Sequence, residues 1–222
     1  MAVVGIDGSG KSTVVADVVA GLAARGVPSE SLYLGVSIAS SDRALPWTRL
    51  AHRVKRSRGA APDRHGPRRH EEVRSSSPRG ARSNLRAALR LGNRLLEEGY
   101  RQSLARTARR RGRVIVFDRH WLADYHAYDV VGSDRSWDRR LHGFVLMRLL
   151  SKPDATVFLD APAEVLLARK GEGDRQLLER RRNDYLALAG VLPRFSIVDA
   201  TRPLPEVVAA VERVIDDVRV RQ

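Results

Sequence analysis

Short apolar runs alternate along the chain with stretches whose apolar residues are spaced as in amphipathic helices. Five runs rich in β-branched and other apolar side chains predict strands at residues 2–6, 31–36, 113–118, 155–160 and 195–199. A helical pattern follows the first run at once, with Val14, Val15, Val18, Val19 and Leu22 on one face. Strands that alternate with helices predict an α/β fold, a parallel sheet of five strands with helices on both faces.

A glycine-rich stretch separates the first predicted strand from the first predicted helix. It reads Gly5-x-x-x-x-Gly10-Lys11-Ser12, the spacing of a phosphate-binding loop, in the strand–loop–helix setting that this motif requires. Glycine lets backbone N–H groups approach a phosphate closely, and the positive end of the next helix adds to the attraction. We therefore predict that Lys11 reaches the β- and γ-phosphates of a triphosphate and that the Ser12 hydroxyl ligates Mg²⁺.

Three of the predicted strands end in aspartate, at the edge of the sheet where ligands bind in such folds. In VIVFDRH, Asp118 is placed to hold Mg²⁺, and Arg119 beside it is placed to bind a phosphate with two hydrogen bonds. Asp160 stands before Ala161-Pro162, which favours a different role, a carboxylate that caps the next helix.

Length and composition indicate a single globular domain, residues 1–222, with 43% hydrophobic residues. The absence of cysteine excludes disulfides and thiolate metal sites, and it agrees with a cytoplasmic location. No apolar run approaches the length of a membrane span and no signal peptide precedes the motif, so we expect no membrane partner.

The net charge of +14 is concentrated in one segment of the chain. Residues 43–113 contain 21 Lys and Arg against five Asp and Glu, which leaves the remainder of the chain slightly acidic. The middle of this segment, residues 57–83, is rich in Pro, Gly, Ser and Arg and predicts a basic, flexible loop insertion. Because aromatic side chains that could stack on bases are nearly absent, we do not expect a nucleic-acid partner.

Several segments together resemble the thymidylate kinases and their nucleoside monophosphate kinase relatives. GIDGSGKST resembles the phosphate loop of that family, and VIVFDRHWLADYHAY resembles its acceptor-binding turn, with His120 in place of a tyrosine. KPDATVFLDAPAEVLLARK is similar to the family's fourth strand and the helix that enters its lid, and LLERRRNDYLALA is similar to the helix that leaves the lid. IVDATRPLPEVVAAVERVI resembles the closing strand and helix. The resemblance covers nearly all of the chain outside residues 38–83.

The resemblance implies a P-loop NTPase fold with a lid at residues 168–176, and ATP- and Mg²⁺-dependent phosphoryl transfer to a nucleoside monophosphate. The first candidate for the acceptor is dTMP. Asp7, Ser12 and Asp118 are the implied metal ligands. The residues implied to bind the ATP phosphates are Gly5, Asp7, Gly8, Ser9, Gly10, Lys11, Ser12 and Thr13.

The resemblance also implies which arginines serve the acceptor and the reaction. Arg119 and Arg94, with Asp118 beside them, are implied to bind the acceptor monophosphate. The lid residues Arg169 and Arg175 are implied to close over the transferring phosphoryl group, and with Lys11, Asp7 and Arg119 they form the implied catalytic set. Arg180 and Arg181 are expected only to coat a solvated helix. Whether the protein is a monomer or a homodimer is left open.

Three stretches depart from the family pattern: LYLGVSIASS after the second strand, WLADYHAYDV after Asp118-Arg119, and the short lid KGEGD. The first two stand where the acceptor is selected, so two alternatives stay open. One is a P-loop kinase that acts on another phosphorylated or hydroxylated small molecule. The other is an ATP-binding nucleic-acid-associated or regulatory module, which the basic segment suggests.

Deletion of residues 57–83 is expected to leave the protein folded, because loop length affects the entropy of loop closure only weakly. The same deletion should weaken the salt-dependent binding of polyanions, since it removes a large part of the positive charge. Circular dichroism and polyanion binding at two salt concentrations measure both effects. Loss of folding would show instead that the segment belongs to the core.

Overall fold

Five parallel strands form one sheet in the computed structural model, which describes residues 1–34, 45, 81–120, 141–142, 144–145, 148, 151–171 and 173–221. The strands are β1 (Ala2–Gly5), β2 (Ser29–Tyr33), β3 (Val114–Asp118), β4 (Thr156–Asp160) and β5 (Phe195–Asp199). The helices with complete bounds are α1 (Lys11–Ala24), α2 (Ala81–Arg110), α3 (Ala163–Lys170), α4 (Arg175–Leu186) and α5 (Leu204–Val220), and a 3₁₀ turn at Ala187–Gly190 follows α4.

The strand order is β2-β3-β1-β4-β5, so β1 lies at the centre of the sheet. Val3 pairs in register with Asp118 of β3, and Gly5 pairs with Leu159 of β4. In this register the strand ending in Asp118 lies directly beside the strand of the phosphate loop. The register also brings the carboxyl ends of β1, β3 and β4 to one edge, where ligands bind in open α/β sheets.

All five predicted strands are present, with small differences at their ends. β5 has the predicted bounds, whereas β2 begins at Ser29, two residues earlier than predicted, because its pairing with Val114 begins there. β2 ends at Tyr33, so Leu34 follows the strand, and residues 35 and 36 of the predicted strand lie outside the described residues. Pairing across the sheet therefore decides the strand ends more closely than the apolar pattern does.

The core lies on both faces of the central strands, because every residue of β1 and the first four residues of β4 are buried. Helix α1 contributes Val14, Val15, Val18 and Leu22 to this core and packs against α5. Phe158 of β4 stacks on Tyr185 of α4 with ring centroids 5.3 Å apart. The α/β fold predicted from the sequence, with a parallel sheet and covering helices, is thus confirmed.

Most of the basic insertion predicted at residues 57–83 lies outside the described residues. Its last three residues, 81–83, form the beginning of helix α2. No helix in the described part of the chain is long and apolar enough to cross a membrane.

Candidate active site

The phosphate loop joins the carboxyl end of β1 to the first turn of α1, and two of its glycines have a conformational reason to be glycine. Gly5 has φ 155°, and a Cβ there would lie 2.8 Å from Ser9 Oγ and 2.9 Å from the Leu159 carbonyl oxygen. Gly10 has φ 84°, a left-handed conformation that other residues rarely adopt. The sequence therefore turns sharply here and starts helix α1 with its N–H groups at the sheet edge.

Lys11, Asp7 and Arg119 form a compact charged cluster on this loop. Lys11 is only 5% exposed, its Nζ donates to the Ile6 carbonyl at 2.6 Å, and it lies 3.8 Å from Asp7 Oδ1. Arg119 donates a hydrogen bond to the same Asp7 oxygen. Burial alone would raise the pKa of Asp7, but the positive charges of Arg119 and Lys11 outweigh it and hold that pKa below its usual value.

The two strongest candidates for metal ligands are in direct contact. Ser12 Oγ donates to Asp118 Oδ2 at 2.7 Å, and it joins the first turn of α1 to the end of β3. The second oxygen, Asp118 Oδ1, is buried and accepts no hydrogen bond in the described part of the structure. A buried carboxylate oxygen without a donor, next to a hydroxyl, fits a divalent cation with oxygen ligands.

Arg119 has an unusual backbone for an arginine. Its φ is 66°, in the left-handed region, and its N–H donates to the Val3 carbonyl at 3.1 Å. Non-glycine residues in this conformation store strain and concentrate at functional sites. The turn directs the Arg119 side chain to Asp7 of the phosphate loop.

Helix α2 carries Arg94, the implied second acceptor arginine, at a partly exposed position and buries another arginine, Arg101. Arg94 is 37% exposed and pairs with Glu98 on its own helix at 3.3 Å. Arg101 is only 4% exposed, and burial lowers its pKa against the opposing effect of Glu97, Tyr33 and Glu98. Tyr33, which acts on Arg101 in this way, pairs in register with Asp118 of β3. The stretch EEGYRQ does not by itself show which of its charged residues is buried.

The two lid arginines bond to other groups than the phosphate loop. Helix α3 ends at Lys170, and α4 begins at Arg175 with Asp174 as its cap, accepting from the Gln176 N–H at 2.9 Å. Arg169 donates to the Ala200 carbonyl at 2.9 Å, after the end of β5. Arg175 forms an ion pair with Glu164 in the first turn of α3. Their implied action on a phosphoryl group therefore stays a prediction.

Two expectations about the lid side of the sheet are wrong. Asp160 does not cap α3, because both of its oxygens accept from Arg182, at 2.7 and 2.8 Å, and Glu179 accepts from the Ala163 N–H instead. Arg181 does not coat a solvated surface, since it is 8% exposed and shares the buried face of α4 with Tyr185. Arg180 is exposed, as expected.

His120, the residue in place of the family's tyrosine, is directed into the protein. It is 1% exposed and lies edge-on to Phe117 with ring centroids 5.2 Å apart. Burial lowers its pKa to about 3, so the imidazole is neutral at physiological pH. The stretches that follow Leu34 and His120, where the sequence departs from the family pattern, lie outside the described residues.

A phosphate loop between β1 and α1, facing a strand-end aspartate across the parallel sheet, defines a P-loop nucleotide-binding fold. A solved deoxyadenosine kinase from M. mycoides, with products dCMP and a flexible dCDP bound, has this fold. The two structures superpose with a TM-score of 0.53 at 15% sequence identity. The superposition covers 97% of this chain and 98% of the kinase chain. No protein-family profile matches the chain.

Two curated thymidylate kinases are similar in sequence. That of Pseudomonas entomophila is 41% identical over 123 residues, which span 50% of this chain and 55% of the relative. That of Alcanivorax borkumensis is 32% identical over 136 residues, which span 56% of this chain and 62% of the relative. The chain thus spans little more than half the length of the curated relatives it matches. These relatives confirm the resemblance to thymidylate kinases that the motifs predict.

His120 makes the stability of the protein depend on pH. Its pKa is 6.5 in the unfolded chain and about 3 in the folded one, so the unfolded state binds a proton first as the pH falls. Stability should therefore decrease as the pH is lowered from 6.5 towards 3, by up to about 1.4 kcal/mol for each pH unit. Denaturant unfolding of the protein and of His120→Gln at several pH values measures this. Parallel pH profiles for the two proteins would contradict it.

Proposed function

We propose that this protein catalyses ATP- and Mg²⁺-dependent phosphoryl transfer to a nucleoside monophosphate, with dTMP as the first candidate. The observation that carries the proposal is the hydrogen bond between Ser12 and Asp118, with a second, unpaired Asp118 oxygen beside it. This pair lies next to a phosphate loop and two cations, Lys11 and Arg119. The two curated relatives, both named thymidylate kinase, support a phosphotransferase of this kind.

The donor side of the reaction is built from the phosphate loop. Lys11 now donates to the Ile6 carbonyl, and phosphate oxygens of ATP would replace that acceptor. Ser12 and Asp118 would hold Mg²⁺, with Asp7 close by, and the ion supplies neutralisation of the phosphate charge. Positioning and charge neutralisation are the main sources of catalysis in phosphoryl transfer, so this set of residues suits the reaction.

The acceptor side begins at Arg119. Its guanidinium now bonds to Asp7, and an acceptor phosphate would compete with that carboxylate for the same donor. A planar guanidinium can bind a phosphate through two parallel hydrogen bonds and so set the direction of attack. We infer that Arg101 supplies the second guanidinium, in place of Arg94, because Arg94 is half exposed and paired with Glu98.

One observation favours a second candidate, a kinase for a hydroxylated small molecule. Asp7 is a carboxylate on the phosphate loop whose pKa is held low by Arg119 and Lys11, so it is ionised and can orient a hydroxyl by accepting its hydrogen bond. An acceptor screen with ATP and Mg²⁺ that includes dTMP, other nucleoside monophosphates, nucleosides and sugars separates the two candidates. The regulatory module, the cytoplasmic location and the homodimer stay predictions.

Lys11→Ala should lower the rate of ATP turnover by roughly two to three orders of magnitude, because it removes the charge that neutralises the β- and γ-phosphates; effects of this kind reach roughly 3–4 kcal/mol. Steady-state kinetics measures the loss. Lys152→Ala is the matched control, since Lys152 is exposed and precedes β4 at the opposite edge of the sheet. Unchanged turnover in Lys11→Ala would exclude the proposed site.

Arg119→Lys should weaken the binding of the acceptor and leave the affinity for ATP close to that of the wild type. Lysine keeps the positive charge but cannot form the two parallel hydrogen bonds of a guanidinium. Calorimetry of ATP binding and acceptor kinetics on the same variant measure the two effects. The same kinetics on Arg101→Lys and Arg94→Lys identify the second arginine, with Arg110→Lys, an exposed position, as control. Equal losses for ATP and acceptor would assign Arg119 to the donor side.

A further inference from the structure

We propose that the ion pair between Asp160 and Arg182 positions the lid helix α4 against the phosphate loop. The proposal rests on the proposed function and adds two positioning residues to it. The two side chains bond to each other by two hydrogen bonds. They act through the segments that they join, the end of β4 and the middle of α4.

The end of β4 forms the wall of the phosphate loop. Gly5 pairs with Leu159, and the Leu159 carbonyl oxygen lies so close that a Cβ at Gly5 would approach it to 2.9 Å. Further along, a Cβ at Gly8 would lie 3.4 Å from the Leu166 carbonyl oxygen of α3. Asp160 therefore directly follows Leu159, which contacts the loop. A displacement of the turn that connects β4 and α3 would change the contacts at Gly5 and Gly8.

Helix α4 is attached to this turn through two of its side chains. Arg182 Nε and one terminal nitrogen donate to the two oxygens of Asp160 at 2.7 and 2.8 Å, a parallel pair of bonds. Glu179, one turn earlier, accepts from the Ala163 N–H at 3.2 Å and lies 3.8 Å from Arg182. These contacts fix both the position of α4 beside the turn and the rotation of α4 about its own axis.

The pair is stronger than an ordinary surface ion pair. Asp160 is 16% exposed and Arg182 is 30% exposed, so solvent screens their attraction only in part. The hydrogen bonds to Asp160 raise the pKa of Arg182, as expected for a charge-assisted pair. The pair also fixes geometry, because a guanidinium fork and a carboxylate meet in one plane.

The distance from this attachment to the lid explains why it matters for the reaction. Arg175 begins α4 seven residues before Arg182, which corresponds to about 10 Å along a helix. A small rotation of α4 at the attachment displaces its lid end further than it displaces Arg182. Misplacement of a catalytic group by an ångström lowers the rate about a hundredfold at sites of this kind. The Asp160–Arg182 pair thus sets where the lid side chains lie relative to the phosphate loop.

The test compares Asp160→Asn, Arg182→Lys and the double variant with the wild type. We expect each single variant to raise KM for ATP and lower kcat by about tenfold, with KM for the acceptor changed by less than about twofold. The double variant should be no worse than the single ones, because the pair acts as a unit. Arg180→Lys, an exposed neighbour on α4, and Asp199→Asn, the register partner of Asp160 on β5, are the matched controls.

Wild-type ATP kinetics in both single variants would overturn the proposal. So would equal losses for ATP and acceptor together with a lower unfolding temperature, since that pattern marks a purely structural pair. If the wild type phosphorylates no acceptor, the proposed function has failed, and calorimetry of ATP binding then decides the inference separately. Weaker ATP binding in Asp160→Asn and Arg182→Lys supports it, and unchanged binding overturns it.

Discussion

The hydrogen bond between Ser12 and Asp118 joins residues 106 positions apart, and the geometry of the candidate site depends on it. It can form only because β3 lies directly beside β1, with Val3 and Asp118 in register. A shift of that register by one residue would turn Asp118 to the other face of the sheet. The buried apolar residues of β1 and β3 exclude such a shift, so the packing of the core sets the position of the candidate metal ligands.

Each predicted phosphate-binding cation already bonds to an oxygen of the protein. Lys11 has the Ile6 carbonyl, Arg119 has Asp7, and the lid residues Arg169 and Arg175 have the Ala200 carbonyl and Glu164. Under the proposed function, phosphate binding would therefore exchange one oxygen partner for another at each residue, and the buried Lys11 would keep a hydrogen-bond acceptor throughout. Because an unpaired buried cation would be costly, replacing one oxygen partner by another keeps the free-energy change at each contact small.

The sequence predicted the local parts of the site well and the long-range partners poorly. Periodicity, residue type and the rules of parallel sheets predict the strands, the glycine turn and the position of Asp118 at the same sheet edge as the loop. They do not predict the partner of Asp160, because Arg182 is distant in sequence and the adjacent Ala161-Pro162 favoured a cap. The burial of Arg181 is also not predictable from the sequence, because a run of three arginines does not indicate which one faces the core.

The sheet divides the candidate site into sides that follow different constraints. On the β4 side, Asp160, Arg182 and Glu179 bind one another and the backbone, so their identities are set by the fold and by the donor loop. On the β3 side, Arg119 comes just before a stretch in which the sequence departs from the thymidylate kinase pattern. Under the proposed function, the acceptor would be selected by the stretches that follow β2 and β3, and these could change while the loop glycines and Lys11 stay the same. A chain of this kind can therefore keep the chemistry of phosphoryl transfer while its acceptor differs from that of its relatives.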